Sequence, residues 1–382
     1  MAFNTAGLIA QRALEIDASG IRKVFDLAAK MKDPINLSIG QPDFDVPEVL
    51  KEKAIEAIRK GMNRYTPTQG IAELLAPLKA KTIAETGWHD PALLTLSGTS
   101  GGLVLIMMAV LNPGDEVLFL DPYFVMYKHL PKLCGALPVA VDSYPDFRLH
   151  PERLEAAITR RTKMLVICSP SNPTGITFSA EELKAAADIA RKHNLLVVSD
   201  EIYDAFCYQK HESIAPLLPE QCVVLKGYSK TYGMTGWRLG YAAAAGAAKL
   251  VIEQMTKLQQ YTFVCAPSMV QHAALETLHA HHVDMSPYVA AYRKKRDLVV
   301  DMLGGVFELN KPGGAFYAFP KVPGRQTATE FVQKAIERNV LIIPGNVFSS
   351  KDTHFRLSYA TTDSKLEQGL AILRELGQQS DR

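Results

Sequence analysis

Polar side chains follow three successive apolar segments in the middle of the chain. Asn172 lies in the loop after KMLVIC, Asp200 follows LLVVS, and Lys230 comes shortly after CVVLKGY. Neighbours in this series are separated by about 30 residues, the length of one βαβ unit. Because the carboxyl ends of parallel strands meet at one edge of a sheet, where ligands bind in open α/β folds, these side chains are expected to lie together.

The three residue types indicate a particular chemistry. A lysine near a cationic arginine, here Arg238, has a depressed pKa, so more of it is the free amine that forms Schiff bases. Asp200 is able to pair with a protonated heteroaromatic nitrogen, and Tyr203 follows three residues later and would reach the same ring. Pyridoxal phosphate requires such a lysine and such an acid, so the sequence predicts a site for this cofactor.

A phosphate group also needs anion donors. The Gly/Ser/Thr-rich turn SGTSGG (97–102) opens a predicted helix, where free N–H groups and the helix dipole favour phosphate. Ser229 and Arg238 would complete the cradle. Each feature alone has an ordinary explanation, since a lone strand-end Asp is usually a turn residue and a lone Lys is usually solvated. Their order and βαβ spacing favour the functional interpretation.

The elements that must position these residues alternate as in an α/β protein. Short apolar segments are typical of parallel strands with both sheet faces covered by helices: LLTLS, EVLFLD, LPVAVD, KMLVIC, LLVVSDE and CVVLKG. Ser179 and two following glutamates predict a capped helix start. We predict a large α/β domain at 45–285. Helices with short, antiparallel-looking strands predict a smaller α+β domain at 286–382, joined by 1–44.

The composition fits a globular protein of about two domains. The chain has 382 residues, a formal net charge of +2 and 47% hydrophobic residues. This balance gives no electrostatic reason to bind nucleic acid or an anionic membrane. The apolar run LVLIMMAVL is far shorter than the ~20 residues of a membrane span, and no secretory signal is visible. Five cysteines without CxxC, and HAHH interpreted as a solvated helix end, predict a cytoplasmic protein without a metal site.

Several longer segments resemble a known family. SPSNPTG (169–175), SDEIYDAF (199–206) and GYSKTYGMTGWRLGY (227–241) resemble fold-type I, class I/II aminotransferases, in particular the prokaryotic aspartate and aromatic-amino-acid subgroup. The likeness runs from IGQPDFDVPE (39–48) to FRLSYAT (355–361). It implies a large pyridoxal-phosphate domain with a mostly parallel seven-stranded sheet covered by helices, a smaller α+β domain formed by both chain ends, and a homodimer.

The resemblance also implies a reaction and roles for its catalytic residues. The reaction would be ping-pong transamination between an L-amino acid and a 2-oxo acid, through an external aldimine and pyridoxamine phosphate. Lys230 would form the internal aldimine and act as general base, and Asp200 would keep the ring nitrogen protonated. Tyr203 and Asn172 would bind the phenolic oxygen of the ring, and the Asn172–Pro173 bond would be cis.

Further binding roles follow from the same resemblance. Phe124 would stack on the cofactor ring, with Tyr123 as the alternative. Arg356, helped by Asn172 and the Gly40 backbone, would clamp the substrate α-carboxylate, and Tyr65 would reach the phosphate from the other subunit. The phosphate contacts implied within one chain are Gly98, Thr99, Ser100, Ser229 and Arg238.

Positions that would recognise the substrate side chain depart from part of the family. Some enzymes for acidic substrates have a lysine where this chain has Ser100, and others use an arginine in a region where 239–292 contains none. We therefore expect a broad, neutral or aromatic amino donor with glutamate and 2-oxoglutarate as one pair, although Arg22, Lys23 or a mobile arginine would permit an aspartate aminotransferase.

Other classes of protein remain as alternatives. A lyase or decarboxylase would share the lysine, aspartate and arginine. A Rossmann dehydrogenase would share the alternating sheet, but neither GxGxxG nor a P-loop motif occurs. A sensor domain that only binds the cofactor would usually be fused to a DNA-binding region, and none is visible.

Overall fold

The structure of the protein is a computed structural model that describes residues 6–17, 20–279 and 283–380. Helices and short strands alternate along these residues. The strands are β1 (Ile35–Asn36), β2 (Ala92–Leu96), β3 (Glu116–Asp121), β4 (Leu137–Asp142), β5 (Thr162–Cys168), β6 (Leu196–Asp200), β7 (Cys222–Gly227), β8 (Gly240–Ala244), β9 (Tyr317–Ala318), β10 (Val340–Leu341), β11 (Ile343–Pro344) and β12 (Phe355–Ser358).

The helices range from one to five turns. They are α1 (Gln11–Leu14), α2 (Gly20–Ala28), α3 (Glu48–Arg59), α4 (Ala72–Thr86), α5 (Gly98–Val110), α6 (Val125–Leu133), α7 (Pro151–Ala156), α8 (Ala180–Lys192), α9 (Tyr228–Thr231), α10 (Lys249–Thr262), α11 (Ser268–Ala274), α12 (Ser286–Leu303), α13 (Ala328–Glu337) and α14 (Asp363–Ser380). Helix α8 begins as predicted, because Ser179 and Glu182 form a reciprocal capping box.

A seven-stranded sheet confirms the predicted fold class. Its strand order is β2-β8-β7-β6-β5-β3-β4, and every neighbouring pair is parallel except the two that involve β8. Six of its strands match the apolar segments of the sequence. The seventh, β8, has the sequence GYAAA and was not predicted from the pattern, because small residues carry little strand signal.

The topology places the predicted chemistry at one edge. Strands β5, β6 and β7 are adjacent and parallel, and Cys168 at the end of β5 pairs with Asp200 at the end of β6. The loop that contains Asn172 and helix α9 with Lys230 therefore leave the same carboxyl edge, as the βαβ spacing predicted.

Both chain ends contribute to smaller sheets. Strand β1 pairs with β10, and β11, β12 and β9 form an antiparallel sheet. The β1–β10 pair is parallel, so the expectation of antiparallel strands was wrong for this pair, which joins two distant segments rather than a hairpin. Phe316, Phe331 and Phe355 form part of a separate core, to which Tyr203 from the loop after β6 also belongs. The bounds 45–285 and 286–382 remain a prediction.

Three observations bear on the classes considered from composition. The five cysteines are all free thiols. Among the described residues, no helix is both long and apolar enough to cross a membrane, and no group of His, Cys, Asp and Glu side chains is arranged to hold a metal ion. In HAHH, residues 280–282 lie outside the described residues.

Candidate active site

A cavity of about 260 Å³ opens at the carboxyl edge of the large sheet. Its walls come from several loops and helix starts that are far apart in the sequence. The predicted site residues that line it are Gly40, Thr99, Ser100, Phe124, Asn172, Asp200, Tyr203, Ser229, Lys230, Arg238 and Arg356. Gly98 lies behind Arg238 rather than in the cavity wall, and Tyr65 does not line the cavity of its own chain.

Lys230 lies on α9, the short helix that directly follows β7, and its ammonium donates a hydrogen bond to the Gly40 carbonyl. No ion pair links Lys230 to a carboxylate of the described residues. Burial lowers the pKa of Lys230 to about 8, and the positive charges of Arg356 and Arg238 add to this effect. The sequence identified the arginine effect, whereas burial is the larger cause. A lower pKa leaves more free amine for Schiff-base chemistry.

Asp200 ends β6 and is only 3% exposed. The Tyr127 hydroxyl donates to Asp200 Oδ2 at 2.6 Å, and the Ile202 N–H donates to Oδ1 at 3.3 Å. Burial raises the pKa of Asp200 to about 6, against the effect of these two hydrogen bonds. No cation of the described residues pairs with it, so a cationic group on a ligand would complete the site.

Arg356 is 1% exposed, and it too has no carboxylate partner among the described residues. It donates from Nη1 to Asn172 Oδ1 at 3.0 Å and from Nη2 to the Ser38 carbonyl at 2.8 Å, while its buried Nε has no partner. The guanidinium lies 4.6 Å from the Tyr317 ring centroid and 4.7 Å from that of Phe348. A buried guanidinium with an unused donor is suited to bind a carboxylate.

Arg238 and the start of α5 lie at one end of the cavity, and their donors are suited to bind an anion. Arg238 donates to the Ser97 carbonyl at 3.2 Å and to the Thr235 carbonyl at 2.9 Å, with Ser229 Oγ at 3.5 Å. Gly98 has φ +66°, and a Cβ there would lie 2.4 Å from Arg238 Nη2. Glycine therefore lets the guanidinium approach the free N–H groups of α5, which favour a phosphate.

The two aromatic predictions differ in how far the structure supports them. Phe124 lines the cavity, while Tyr123 does not and instead packs edge-on against Phe119. This arrangement favours Phe124 as the residue that faces a ring. The Tyr203 hydroxyl lies 3.0 Å from that of Tyr317, so its predicted contact with a ligand oxygen remains a prediction. The Asn172–Pro173 bond is cis, as expected.

Sequence reasoning missed several residues of this cavity. The most informative is Tyr127, which lies three residues after Phe124 and so on the same side of the start of α6. That spacing within DPYFVMY was the available signal. The other missed residues of the cavity wall include Ile21, Gln41, Cys168, Thr235 and Tyr317.

These residues fit pyridoxal phosphate. Asp200 is a buried carboxylate without a cation, Lys230 is a buried amine without a carboxylate, and the α5–Arg238 cradle is shaped for an anion. Arg356, with its unpartnered Nε, remains for a substrate carboxylate. The fold and this cavity together define a pyridoxal-phosphate enzyme that acts on an amino acid.

Comparison with known proteins names the family. A family profile described as "Aminotransferase class I and II" matches residues 32–373. A probable aspartate aminotransferase of Methanocaldococcus jannaschii is 36% identical over 97% of this chain and 100% of its own length. Aromatic-amino-acid aminotransferase 2 of Thermococcus litoralis is 36% identical over 95% of this chain and 96% of its own.

A solved structure agrees with these relatives. Aspartate aminotransferase from Thermus thermophilus with maleate superposes with a TM-score of 0.91 at 33% identity, covering 96% of this chain and 99% of the other. The chain therefore belongs to the class I and II aminotransferases. It is an aminotransferase of fold type I, and its cofactor is pyridoxal 5′-phosphate.

Proposed function

We propose that this aminotransferase transfers the amino group of a neutral or aromatic L-amino acid, with glutamate and 2-oxoglutarate as its second pair. One observation carries the proposal, namely the charges of the cavity wall. Its charged side chains are Asp200, Lys230, Arg238 and Arg356, and no further cation lines it among the described residues. Each of these four already has a proposed partner in the cofactor or in the α-carboxylate.

The residues would divide the reaction between them. When bound, pyridoxal phosphate supplies an electron sink for the charge that develops at the substrate Cα. Lys230 Nζ would remove the proton from that carbon and deliver it to the cofactor carbon that carries the amino nitrogen, and a pKa of about 8 suits a general base near neutral pH. Asp200 holds the proton on the ring nitrogen. Arg356 and Asn172 orient the substrate through its α-carboxylate, and this fixes which bond of Cα faces the ring.

The uncharged part of the wall supports a neutral side chain. Ile21, Gln41 and Ser100 line the cavity beside the charged residues. A distal carboxylate placed against them would lose its hydration without gaining a cation, at a cost of several kcal/mol, so glutamate as the second pair requires a cation from outside this wall, such as a mobile arginine. The side chains of Arg22 and Lys23, the cations considered from the sequence, lie outside the described part of the structure.

Aspartate is the second candidate donor. It is favoured by the relatives, several of which are named aspartate aminotransferase. A cation contributed by a second copy of the chain would reconcile that activity with the cavity wall. We also propose a homodimer in which Tyr65, 83% exposed in its own chain, reaches the phosphate of the other subunit, and a cytoplasmic location.

A panel of amino acids tests the proposed substrate class. The purified enzyme with bound cofactor is mixed with each amino acid alone, and the change in cofactor absorbance during the first half-reaction gives a rate and an affinity. We expect phenylalanine, tyrosine or a neutral aliphatic amino acid to react with higher kcat/KM than aspartate. A clear preference for aspartate would contradict the neutral-donor proposal but leave the transaminase assignment intact.

A further inference from the structure

Asp200 has one side-chain hydrogen-bond donor among the described residues, the hydroxyl of Tyr127. The two oxygens are 2.6 Å apart, and both residues are buried, with Tyr127 only 3% exposed. Tyr127 lies on α6, the helix that begins directly after Phe124, whereas Asp200 is the last residue of β6. The Tyr127–Asp200 hydrogen bond therefore connects the start of α6, next to Phe124, with the carboxyl end of β6.

The geometry points to Tyr127 as a positioning residue that holds the Asp200 carboxylate ionised and oriented toward the ring nitrogen of the cofactor. This inference rests on the role proposed above for Asp200. A hydroxyl that donates to a carboxylate favours its charged form, and such charge-assisted bonds are short and strong. Without the donor, a carboxylate buried among apolar groups shifts toward the neutral acid, which holds the proton of a ring nitrogen less well.

Packing keeps the Tyr127 hydroxyl in place. The Tyr127 ring meets the edge of the Phe124 ring at 5.8 Å with an interplanar angle of 83°, and it lies 6.1 Å from Phe119. The Tyr127 N–H also donates to the Phe124 carbonyl at 2.9 Å. Because these contacts involve the ring and the backbone, Tyr127→Phe removes the hydroxyl and leaves the packing unchanged.

Cofactor selectivity tests this inference. The apo forms of the full chain are titrated with pyridoxal phosphate and with its 1-deaza analogue, in which a C–H replaces the ring nitrogen. For Tyr127→Phe we expect affinity for pyridoxal phosphate to fall about tenfold, the size of one hydrogen bond to a charged group, with affinity for the analogue unchanged. In turnover, kcat should fall by a similar factor while KM for the amino acid stays constant.

Two further variants make the result interpretable. Tyr208→Phe is the matched control, since the Tyr208 hydroxyl is buried and donates at 2.5 Å to the Ala315 carbonyl outside the cavity, and it should leave both affinities unchanged. Asp200→Asn should lose most of the preference for pyridoxal phosphate over the analogue. If Tyr127→Phe does not fold, Tyr127→Met removes the same donor and fills the space with a flexible apolar chain.

The possible failures are distinguishable. If Asp200→Asn loses its preference for the ring nitrogen while the Tyr127 variant keeps it, the role of Tyr127 is overturned and that of Asp200 stands. If the Tyr127 variant weakens both ligands equally, its role is structural and the inference is also overturned. If Asp200→Asn keeps the wild-type preference, both assignments are wrong.

Discussion

Two neighbouring cavities are lined by residues from the same short segments. Their charged side chains differ, because those of one cavity are paired within the protein and those of the other are not. The cofactor cavity contains Lys230 on α9, and a second cavity of about 500 Å³ is lined by Lys226, four residues earlier on β7. Lys226 lies 2.8 Å from Glu85, 2.9 Å from Asp204 and 3.4 Å from a third carboxylate. Burial alone would lower the pKa of Lys226, but these carboxylates raise it above its usual value. Lys230 has two arginines for neighbours instead.

The adjacent acids Asp200 and Glu201 show the same contrast. Burial raises the pKa of Asp200 to about 6. Glu201 is equally buried, yet His211 and Lys226 overcome the effect of burial and lower its pKa to about 2. Asp200 is paired with no cation of the described residues, whereas Glu201 contacts a lysine and a histidine.

The difference distinguishes a binding site from a structural cluster. In the second cavity each charge is matched by the protein itself, so the fold gains the interaction. In the cofactor cavity the charges are left unmatched, and the missing partners are those that a cofactor and a substrate supply. Perturbed pKa values occur in both, so only the direction of the shifts and their causes separate function from stability.

The largest expected effect comes from removing Lys230, the lysine of the cofactor cavity. Lys230→Ala should lower turnover by about 10⁴-fold or more, because it would remove the proposed general base and Schiff-base amine, and it should abolish the visible absorbance of the lysine-bound cofactor. Steady-state kinetics and an absorbance spectrum measure both losses.

Lys226→Met is the matched variant for that prediction. It should retain the absorbance and most of the turnover, but it should lower the free energy of unfolding by about 3 kcal/mol, because Glu201 and its neighbours lose a buried counter-charge. A Lys230 variant that keeps both turnover and absorbance would refute the assignment of the site.

Two buried arginines extend the comparison. Arg356 has no carboxylate partner among the described residues, whereas Arg296 donates to Asp297 at 2.8 Å. Arg356→Ala should raise KM for the amino acid by roughly 10³-fold, since the proposed buried charge pair with the α-carboxylate would be lost. Arg356→Lys should restore only part of this affinity, because lysine lacks the bidentate fork.

Arg296→Lys serves as the control in the same kinetic assay. It should change thermal stability and leave KM close to that of the wild type. Unchanged substrate affinity in the Arg356 variants would show that the α-carboxylate binds elsewhere.

Part of this arrangement was predictable from the sequence. Asn172, Asp200 and Lys230 follow strands, and parallel pairing alone brings strand ends together. The distinction between Lys226 and Lys230 was not predictable, because the charges that separate them come from segments that only the fold brings near. The spacing within DPYFVMY places Tyr127 beside Phe124, but its contact with Asp200 was not predictable, since the two residues are distant in the chain.

Two strands of the fold, β8 and β1, could not be predicted from local sequence either. Strand β8 contains mainly alanine and becomes a strand only because β2 and β7 pair with it on either side. Strand β1 is two residues long, and its partner β10 lies near the other end of the chain. Neither has enough local apolar periodicity to be found without its neighbours.

A smaller effect should separate the two adjacent acids. Glu201→Gln should lower the free energy of unfolding at neutral pH by about 3 kcal/mol, because a buried ion pair loses one member, with little change in kcat. Since its folded pKa of about 2 lies below the ordinary value of 4.5, the stability contributed by Glu201 is present above about pH 4.5 and is lost as the pH falls toward 2. Urea denaturation at several pH values should therefore bring wild type and variant together in acid. A difference at pH 2 that is as large as at neutral pH would argue against the ion pair.

The smallest expected effect lies on the alkaline side of the same cluster. His211 Nε2 is 3.3 Å from Glu201, and its Nδ1 is 3.5 Å from Cys207 Sγ. Burial alone would lower the pKa of His211, but these contacts raise it from 6.5 to about 10.

The stability contributed by the charge of His211 is therefore complete below about pH 6.5 and is lost as the pH rises through 10. We expect His211→Gln to be less stable than the wild type by about 2 kcal/mol at pH 6, less than the loss of a whole buried ion pair because Glu201 keeps Lys226, and the gap to close above pH 10. The alkaline titration of lysines common to both proteins cancels in this difference. A gap that stays constant from pH 6 to 11 would mean that His211 is neutral in the folded protein, and the second cavity would then share the unmatched charge that we assign to the cofactor cavity alone.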